Sequence, residues 1–391
     1  MSKTAAPDSK GIRFDRNEFA GAFGDIGTDL PLIVGMILAA QLDVASVLIL
    51  FGAMQVLTGL FYRMPMPAQP LKAVAVMVIA QKAGQQITPE ILYGGGLAIG
   101  ICMLLLTVTG LVDWLGKVIP KAVVRGVQFG LGLQLASLAL KDYVPKHGAY
   151  GYGLAAFAFV IAILLYGNRK FPAALFLILI GGIYAVVSLK LNLFAASQSI
   201  GLNFPKLHTP KMQDIATGFL LLALPQIPLS IGNSILAARQ TALDLFPDRA
   251  PSLKKISFTY SLMNLLNPFF SGVPTCHGSG GLAGHYTFGA RTGGSIIIYG
   301  SIYLLIGFGF ANGFENVVQV FPLPILGVIL LFEGIALMLL TRDVVDSRFN
   351  LFLVLLVGLI ANGLPYGYLI GLIVGTVLAH TLPKINSNFV R

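Results

Sequence analysis

The chain has 391 residues, of which 56% are hydrophobic and only 11% charged, with a formal net charge of +10. A soluble globular domain carries about 25% charged residues, so this composition excludes an ordinary soluble enzyme or binding module. The basic residues are spread through short connecting segments and form no patch, which removes nucleic acid as a partner. The first eighteen residues are polar, with no apolar core or small-residue cleavage site, and do not read as a removable signal peptide. The two cysteines, Cys102 and Cys276, have no Cys-x-x-Cys spacing and make neither a zinc site nor a disulfide framework; chance partial burial is expected of both.

Apolar runs that suit a lipid bilayer recur along the chain. In order they are 19–39, 44–61, 71–81, 91–111, 121–140, 152–166 and 171–189, then 215–238, 257–273, 281–290, 294–311, 317–340, 349–361 and 366–382. Seven spans are followed by seven, divided by the polar stretch 190–214. The expected organisation is a cytoplasmic segment 1–18, a first repeat 19–189, the loop 190–214, a second repeat 215–382 and a short cytoplasmic tail 383–391.

With a cytoplasmic N-terminus and a change of side at each span, 19 of the 26 basic residues, including all 11 arginines, fall on the cytoplasmic side. Six fall opposite, and Lys72 falls inside a span. This is the bias of the positive-inside rule, and it puts both termini in the cytoplasm. Because seven is odd, the second half is inserted upside down relative to the first. Inverted repeats with broken helices at mid-membrane are a recurring transporter design.

Irregularities occur at matching places. Span one contains Gly24-Asp25-Ile26-Gly27-Thr28-Asp29-Leu30-Pro31, and span eight contains Pro225-Gln226-Ile227-Pro228-Leu229-Ser230. Span three opens with Pro65-Met66-Pro67-Ala68-Gln69-Pro70-Leu71-Lys72, where three prolines in six residues forbid a helix. An extended crossing is expected there, with a helix from about Leu71. Span ten opens with Pro274-Thr275-Cys276-His277-Gly278-Ser279-Gly280-Gly281. Two helix N-termini then face one cavity from opposite sides, which suits a small anion.

Each helix end contributes about 0.3–2 kcal/mol, whereas micromolar binding needs about 8 kcal/mol. Charge-assisted hydrogen bonds, at roughly 1.5–3 kcal/mol each, have to supply the remainder. The candidate anion-binding residues are Thr28, Gln69, Lys72, Gln226, Ser230, His277, Gly278, Ser279 and Gly280. Lys72 either neutralises the anion or pairs with Asp25, or else snorkels to an aqueous surface. His277 is either a donor to the anion or a structural histidine satisfied by backbone. Asp25 is the candidate proton-coupling group, the alternative being a capping role in an unwound turn.

At these segments the chain resembles the molybdate transporter family, a branch related to the sulfate permeases of the SulP superfamily. Pro65–Lys72 is similar to the family's P-M-P-V-Q-P-M-K signature, with conservative changes at Ala68 and Leu71. Pro274–Gly284 is similar to P-x-C-H-G-x-G-G-L-A-G, and Tyr286–Arg291 to the Y-x-F-G-A-R that follows it. The Gly24–Thr28 turn and the Leu224–Leu229 segment also fit, so the resemblance covers both halves. It implies an all-α, polytopic, seven-plus-seven inverted-repeat transporter with half-helices at spans 3 and 10. It also implies a homodimer, with spans 1–4 and 8–11 as a substrate-carrying core and spans 5–7 and 12–14 as a gate. Only eight residues follow Pro383, so the cytosolic STAS domain common in sulfate permeases is expected to be absent. Asp29 departs from the family, which more often has an aromatic residue there.

The expected function is secondary active transport of a tetrahedral oxyanion across the plasma (inner) membrane by alternating access, with proton coupling through Asp25. Molybdate leads, with tungstate and sulfate as related candidates, and no cofactor or metal is called for. The alternatives are a sulfate or small-anion permease or channel, and a nucleobase permease on the same fold. No Walker-type loop and no nucleophile–base pair are visible, which argues against an ATPase or an enzyme.

Overall fold

The computed structural model describes residues 11–81, 86–112, 114, 118–166, 173–188, 200–344 and 347–385. The end segments 1–10 and 386–391, residue 189 and part of the expected inter-repeat loop, 190–199, lie outside the described residues. The first half contains α1 (Arg16–Ala22), α2 (Ile26–Ala40), α3 (Val44–Tyr62), the strand β1 (Gln69–Pro70), α4 (Lys72–Ile79) and α5 (Pro89–Thr109). It continues with α6 (Lys121–Leu138), α7 (Gly148–Leu164) and α8 (Ala173–Ser188). The second half opens with α9, a 34-residue helix from Met212 to Leu245. There follow α10 (Leu253–Leu266), β2 (Thr275–Cys276), α11 (Ser279–Thr287), α12 (Gly294–Gly309), α13 (Ala311–Val320), α14 (Leu323–Leu339), α15 (Arg348–Gly363) and α16 (Gly367–Ile385).

Among the described residues, six helices are long and apolar enough to cross a membrane, and α7, α8, α15 and α16 are shorter apolar helices. The expected spans therefore correspond to helices, with four differences. Span one is divided into α1 and α2 at Phe23–Asp25, and Pro31 sits inside α2 without ending it. Span eight is not broken at Pro225–Ser230. It remains helical because wide π-type turns at Phe219–Ala223 and Ser230–Leu236 flank the proline pair. Such turns loosen the backbone ladder where prolines remove donors. Span eight also begins at Met212, before its expected start at 215. In span twelve, the short α13 is bent by 97° from α12 before α14 begins.

Helices pack in corresponding pairs across the two halves. α3 lies along α12, and α5 lies along α9 and α10. A second group gathers α6, α14, α15 and α16, with α7 and α8 packed on α14. β1 and β2 join the halves as an antiparallel pair with Gln69 opposite Cys276 and Pro70 opposite Thr275. Antiparallel pairing of equivalent segments means that the chain passes this point in opposite directions in the two halves.

An extended backbone inside a membrane protein leaves N–H and C=O groups that lipid cannot satisfy. Two side chains solve this in parallel fashion. On α3, Gln55 donates to the Ala68 carbonyl at 2.6 Å and accepts from the Ala68 N–H at 2.9 Å. On α10, Asn264 donates to the Thr275 carbonyl at 2.6 Å and accepts from the Thr275 N–H at 3.0 Å. Each amide acts as a substitute strand for the extended segment that follows its own helix.

Candidate functional site

The β1–β2 pair ends where α4 and α11 begin. The residues that open these helices, Leu71 and Gly278, make no side-chain cap. By contrast, Asp15, Asp43, Thr88, Ser252 and Ser347 cap helices elsewhere. The uncapped α4 and α11 starts border a cavity of about 290 Å³, room for a small anion with some of its water. One wall is formed by Gln69, Lys72, Gln226, Ser234, Cys276, Gly278, Ser279 and Gly280. The other is formed by Arg125, Gln128 and Leu131 of α6 with Glu333, Ala336, Leu337 and Leu340 from α14 and the turn after it.

The structure brings together six of the sequence-predicted binding residues: Gln69, Lys72, Gln226, Gly278, Ser279 and Gly280. Lys72 is half-buried, and among the described residues it has no carboxylate within ion-pair distance. The acids that act on it electrostatically are Glu333, Asp25 and Asp29. Its ammonium stands on the cavity wall, available to an anion, and is not in a tight pair with Asp25. Gln226 donates to Ser230 Oγ at 3.0 Å, while its own carbonyl oxygen is buried without a partner.

Three predicted residues stand elsewhere. Thr28, in the first turn of α2, is not on the cavity wall. Ser230 is fully buried behind it, bonded to Gln226 and to the Tyr260 hydroxyl at 2.6 Å, and so positions Gln226. His277 is also fully buried and is held on both ring nitrogens. Nδ1 lies 3.0 Å from the Pro67 carbonyl oxygen, and Nε2 lies 2.8 Å from Thr259 Oγ1. Its side chain ties α10 to the extended segment of span three, which is the structural alternative. Cys276, the last residue of β2, is buried and lines the cavity, whereas His277, just after the strand, is turned into its hydrogen bonds with Pro67 and Thr259.

Asp25 lies immediately behind the wall. Its Oδ2 accepts a hydrogen bond from Gln69 Nε2. A Cβ at Gly281 would collide with that carboxylate, and a Cβ at Gly278 would overlap the Gln69 side-chain carbonyl. Glycine at these two positions is what lets Gln69 and Asp25 occupy their places. Asp29, one turn further along α2, is fully buried, and neither of its oxygens has a hydrogen-bond partner of good geometry. Its electrostatic neighbours include Asp25, Lys72 and Glu333.

Reading the sequence missed Glu333, Arg125 and Gln128. Glu333 had a visible signal, a lone acid in the apolar run Leu330-Leu331-Phe332-Glu333-Gly334-Ile335. An intramembrane charge of that kind marks a functional position by default. Arg125 gave none, because counted with the basic residues near a span end it looked like one more orienting charge.

A preformed, partly polar cavity with the Lys72 ammonium, which has no ion-pair partner among the described residues, amide and hydroxyl donors and two helix N-termini can bind a small oxyanion. Known proteins agree with this picture. Residues 17–135 and 218–337 match the family model described as "Molybdate transporter of MFS superfamily". The chain is 33% identical to Molybdate transporter 2 of Arabidopsis thaliana, covering 87% of this chain and 81% of that protein. It is 31% identical to Molybdate transporter 1 of the same plant, covering 83% and 80%. Among solved structures, the transmembrane domain of the cyanobacterial bicarbonate transporter BicA superposes with a TM-score of 0.66 at 17% identity, over 94% of this chain and 98% of that one. The murine solute carrier 26 family member A9 anion transporter, in its inward-facing state, gives a TM-score of 0.70 at 13% identity, over 97% and 70%. The fold is thus that of these anion transporters, a seven-plus-seven inverted repeat. It differs from the paired six-span halves of the major facilitator design named in the family description. The chain is an integral membrane transporter, not an enzyme, and it belongs to the molybdate transporter family.

Proposed function

We propose that this protein moves molybdate across the plasma membrane as a secondary active transporter working by alternating access. The observation that carries this reading is the single cavity into which the starts of α4 and α11, Lys72, Gln69, Gln226 and Ser279 all open. Tungstate and sulfate share molybdate's charge and tetrahedral shape, and they are the expected competitors. The helices of spans 1–4 and 8–11 serve as the moving carrier, and those of spans 5–7 and 12–14 as the gate. The cavity lies along the seam between the two groups, where relative motion changes which side it faces.

The cytoplasmic placement of both termini rests on the distribution of basic residues. The contacts made by three of them support it. Arg13 lies 3.9 Å from Glu18, whose carboxylate also accepts from the Arg291 N–H, and Arg249 reaches the Arg291 carbonyl. All three belong to the side assigned to the cytoplasm. Lys206, assigned to the other side, is paired with Asp43 in the connection between α2 and α3.

Proton coupling is assigned to Asp25. Its Gln69 donor is also a cavity residue, so an anion that recruits the Gln69 amide withdraws a hydrogen bond from Asp25. A carboxylate deprived of its donor in a buried site gains affinity for a proton. By linkage, proton and anion then favour one another's binding.

The test is uptake of labelled molybdate into proteoliposomes, with sulfate competition and an imposed pH gradient. Saturable uptake, accelerated by an inward proton gradient and resistant to equal sulfate, is the expected result. Abolition by equal sulfate would remove molybdate selectivity, and indifference to the gradient would remove the role of Asp25.

A further inference from the structure

The cavity carries a second cation besides Lys72, on its α6 side. Arg125 projects from the early part of α6 with only 13% of its side chain exposed. Its Nε lies 2.9 Å from Asp343 Oδ1 and its Nη2 lies 2.5 Å from Asp343 Oδ2, a two-pronged grip on one carboxylate. Its Nη1 donates to the Gln128 side-chain carbonyl at 2.8 Å. Gln128 is buried and also lines the cavity. Lys121, outside the cavity wall, holds Asp343 as well, with Nζ 2.7 Å from Oδ2.

Two features distinguish this cluster from a simple brace between α6 and α14. Asp343 already has Lys121 as a counterion, so a brace does not need Arg125. The guanidinium also stands on the wall of the cavity, at the end nearer Leu340. A carboxylate and a tetrahedral oxyanion both present a pair of oxygens that fits the guanidinium fork.

We propose that Arg125 is a second anion-binding residue on the gate wall, and that Asp343 occupies its fork as a built-in competitor for the oxyanion. This rests on the oxyanion reading of the cavity. As an anion passes between the Lys72 wall and solvent, it replaces Asp343 on Arg125. When it leaves, Asp343 closes on the fork again and Lys121 keeps that carboxylate close by. Asp343 therefore weakens retention at the mouth and speeds release.

Opposite signs at the two partners make this testable. Equilibrium binding of molybdate, and separately of sulfate, is titrated on purified protein, with melting temperatures measured in parallel. Arg125→Gln is expected to raise Kd by about tenfold, as for loss of a charge-assisted pair. Asp343→Asn is expected to lower Kd and, in counterflow experiments, to lower both KM and kcat. Arg125→Lys keeps the charge without the fork, so it should restore the melting temperature while leaving Kd raised. That variant carries the test should Asp343→Asn not fold. Arg125→Gln and Asp343→Asn shifting Kd in the same direction would reduce the cluster to a brace, as would full rescue of Kd by lysine. Unchanged affinity in Arg125→Gln overturns this inference alone. A wild-type protein that binds neither anion overturns the oxyanion reading beneath it.

Discussion

Replacing Gly278 by alanine isolates the part played by Gln69. Gly278 has φ −105° and ψ 124°, an extended conformation that any residue adopts, so the substitution brings no backbone strain. The new Cβ would overlap the Gln69 side-chain carbonyl, and Gln69 would have to leave the wall. It would then lose its hydrogen bond to Asp25 and its place beside the anion. One charge-assisted hydrogen bond is worth about 1.5–3 kcal/mol, which corresponds to a roughly 10- to 150-fold rise in the Kd for molybdate. Gly280→Ala is the matched control. It lies on the same wall, two residues away, but its Cβ meets nothing within 4 Å. Its Cβ leaves Gln69 and Asp25 in place, so its loss of affinity is expected to be smaller than that at Gly278 and additive with Gln69→Ala. The assay is equilibrium binding to purified protein, with Gln69→Ala and the Gly278/Gln69 double variant completing a cycle. The double variant should be no worse than Gln69→Ala, because both changes remove one group. Equal losses at Gly278 and Gly280, or additive losses at Gly278 and Gln69, would refute the reasoning.

Other predictions concern the frame around the cavity. Asn264→Ala leaves both backbone groups of Thr275 without their partner. It should cost about 1–3 kcal/mol per group, seen as a lower melting temperature, and Gln55→Ala should act similarly on Ala68. His277→Ala is expected to lower the melting temperature for the same reason while leaving Kd within about twofold; a large rise in Kd with unchanged melting would return His277 to the binding site. Asp43 caps α3 through the Ser46 N–H at 2.9 Å and meets Lys206 at 2.7 Å. Burial pushes the Asp43 carboxyl up, but hydrogen bonds from Lys206 and Ser46 outweigh it and hold the group below its ordinary value. The pair's stabilisation is therefore complete above about pH 4 and is lost as pH falls through the folded value. Lys206 is raised by the same pair, so its share is lost only as pH rises beyond about 10.4. Asp43→Ala should cost about 1 kcal/mol, chiefly as a lost cap, and Lys206→Ala less, since its side chain is mostly exposed. Thermal unfolding between pH 3 and 7 checks the sign: the gap between Asp43→Ala and wild type should narrow toward about pH 3.

Much of the architecture was legible in the chain because a bilayer reduces folding to a question of length and polarity. A long apolar run and a proline cluster have few alternative readings in lipid. The extended stretch before Lys72 was readable because Pro65, Pro67 and Pro70 forbid a helix whatever surrounds them, and the one before Ser279 because of Pro274 and the glycines that follow it. Proline pairs were less decisive at Pro225 and Pro228, since neighbouring π-type turns absorbed their missing donors and kept α9 continuous.

The sequence by itself determined the class of molecule, the inverted order of its halves and the two motifs that border the cavity. Tertiary structure alone decided which side chains face that cavity. His277 and Cys276 are neighbours in a motif, yet one is held in a hydrogen-bonded core and the other lines the wall. Arg125 and Glu333 lie far from both motifs in the chain and reach the wall only because α6 packs on α4 and α14 packs on α6. Facing is set by register and by helix rotation, quantities that change with a single residue. Composition and motif spacing, which are averages over many residues, do not carry that information.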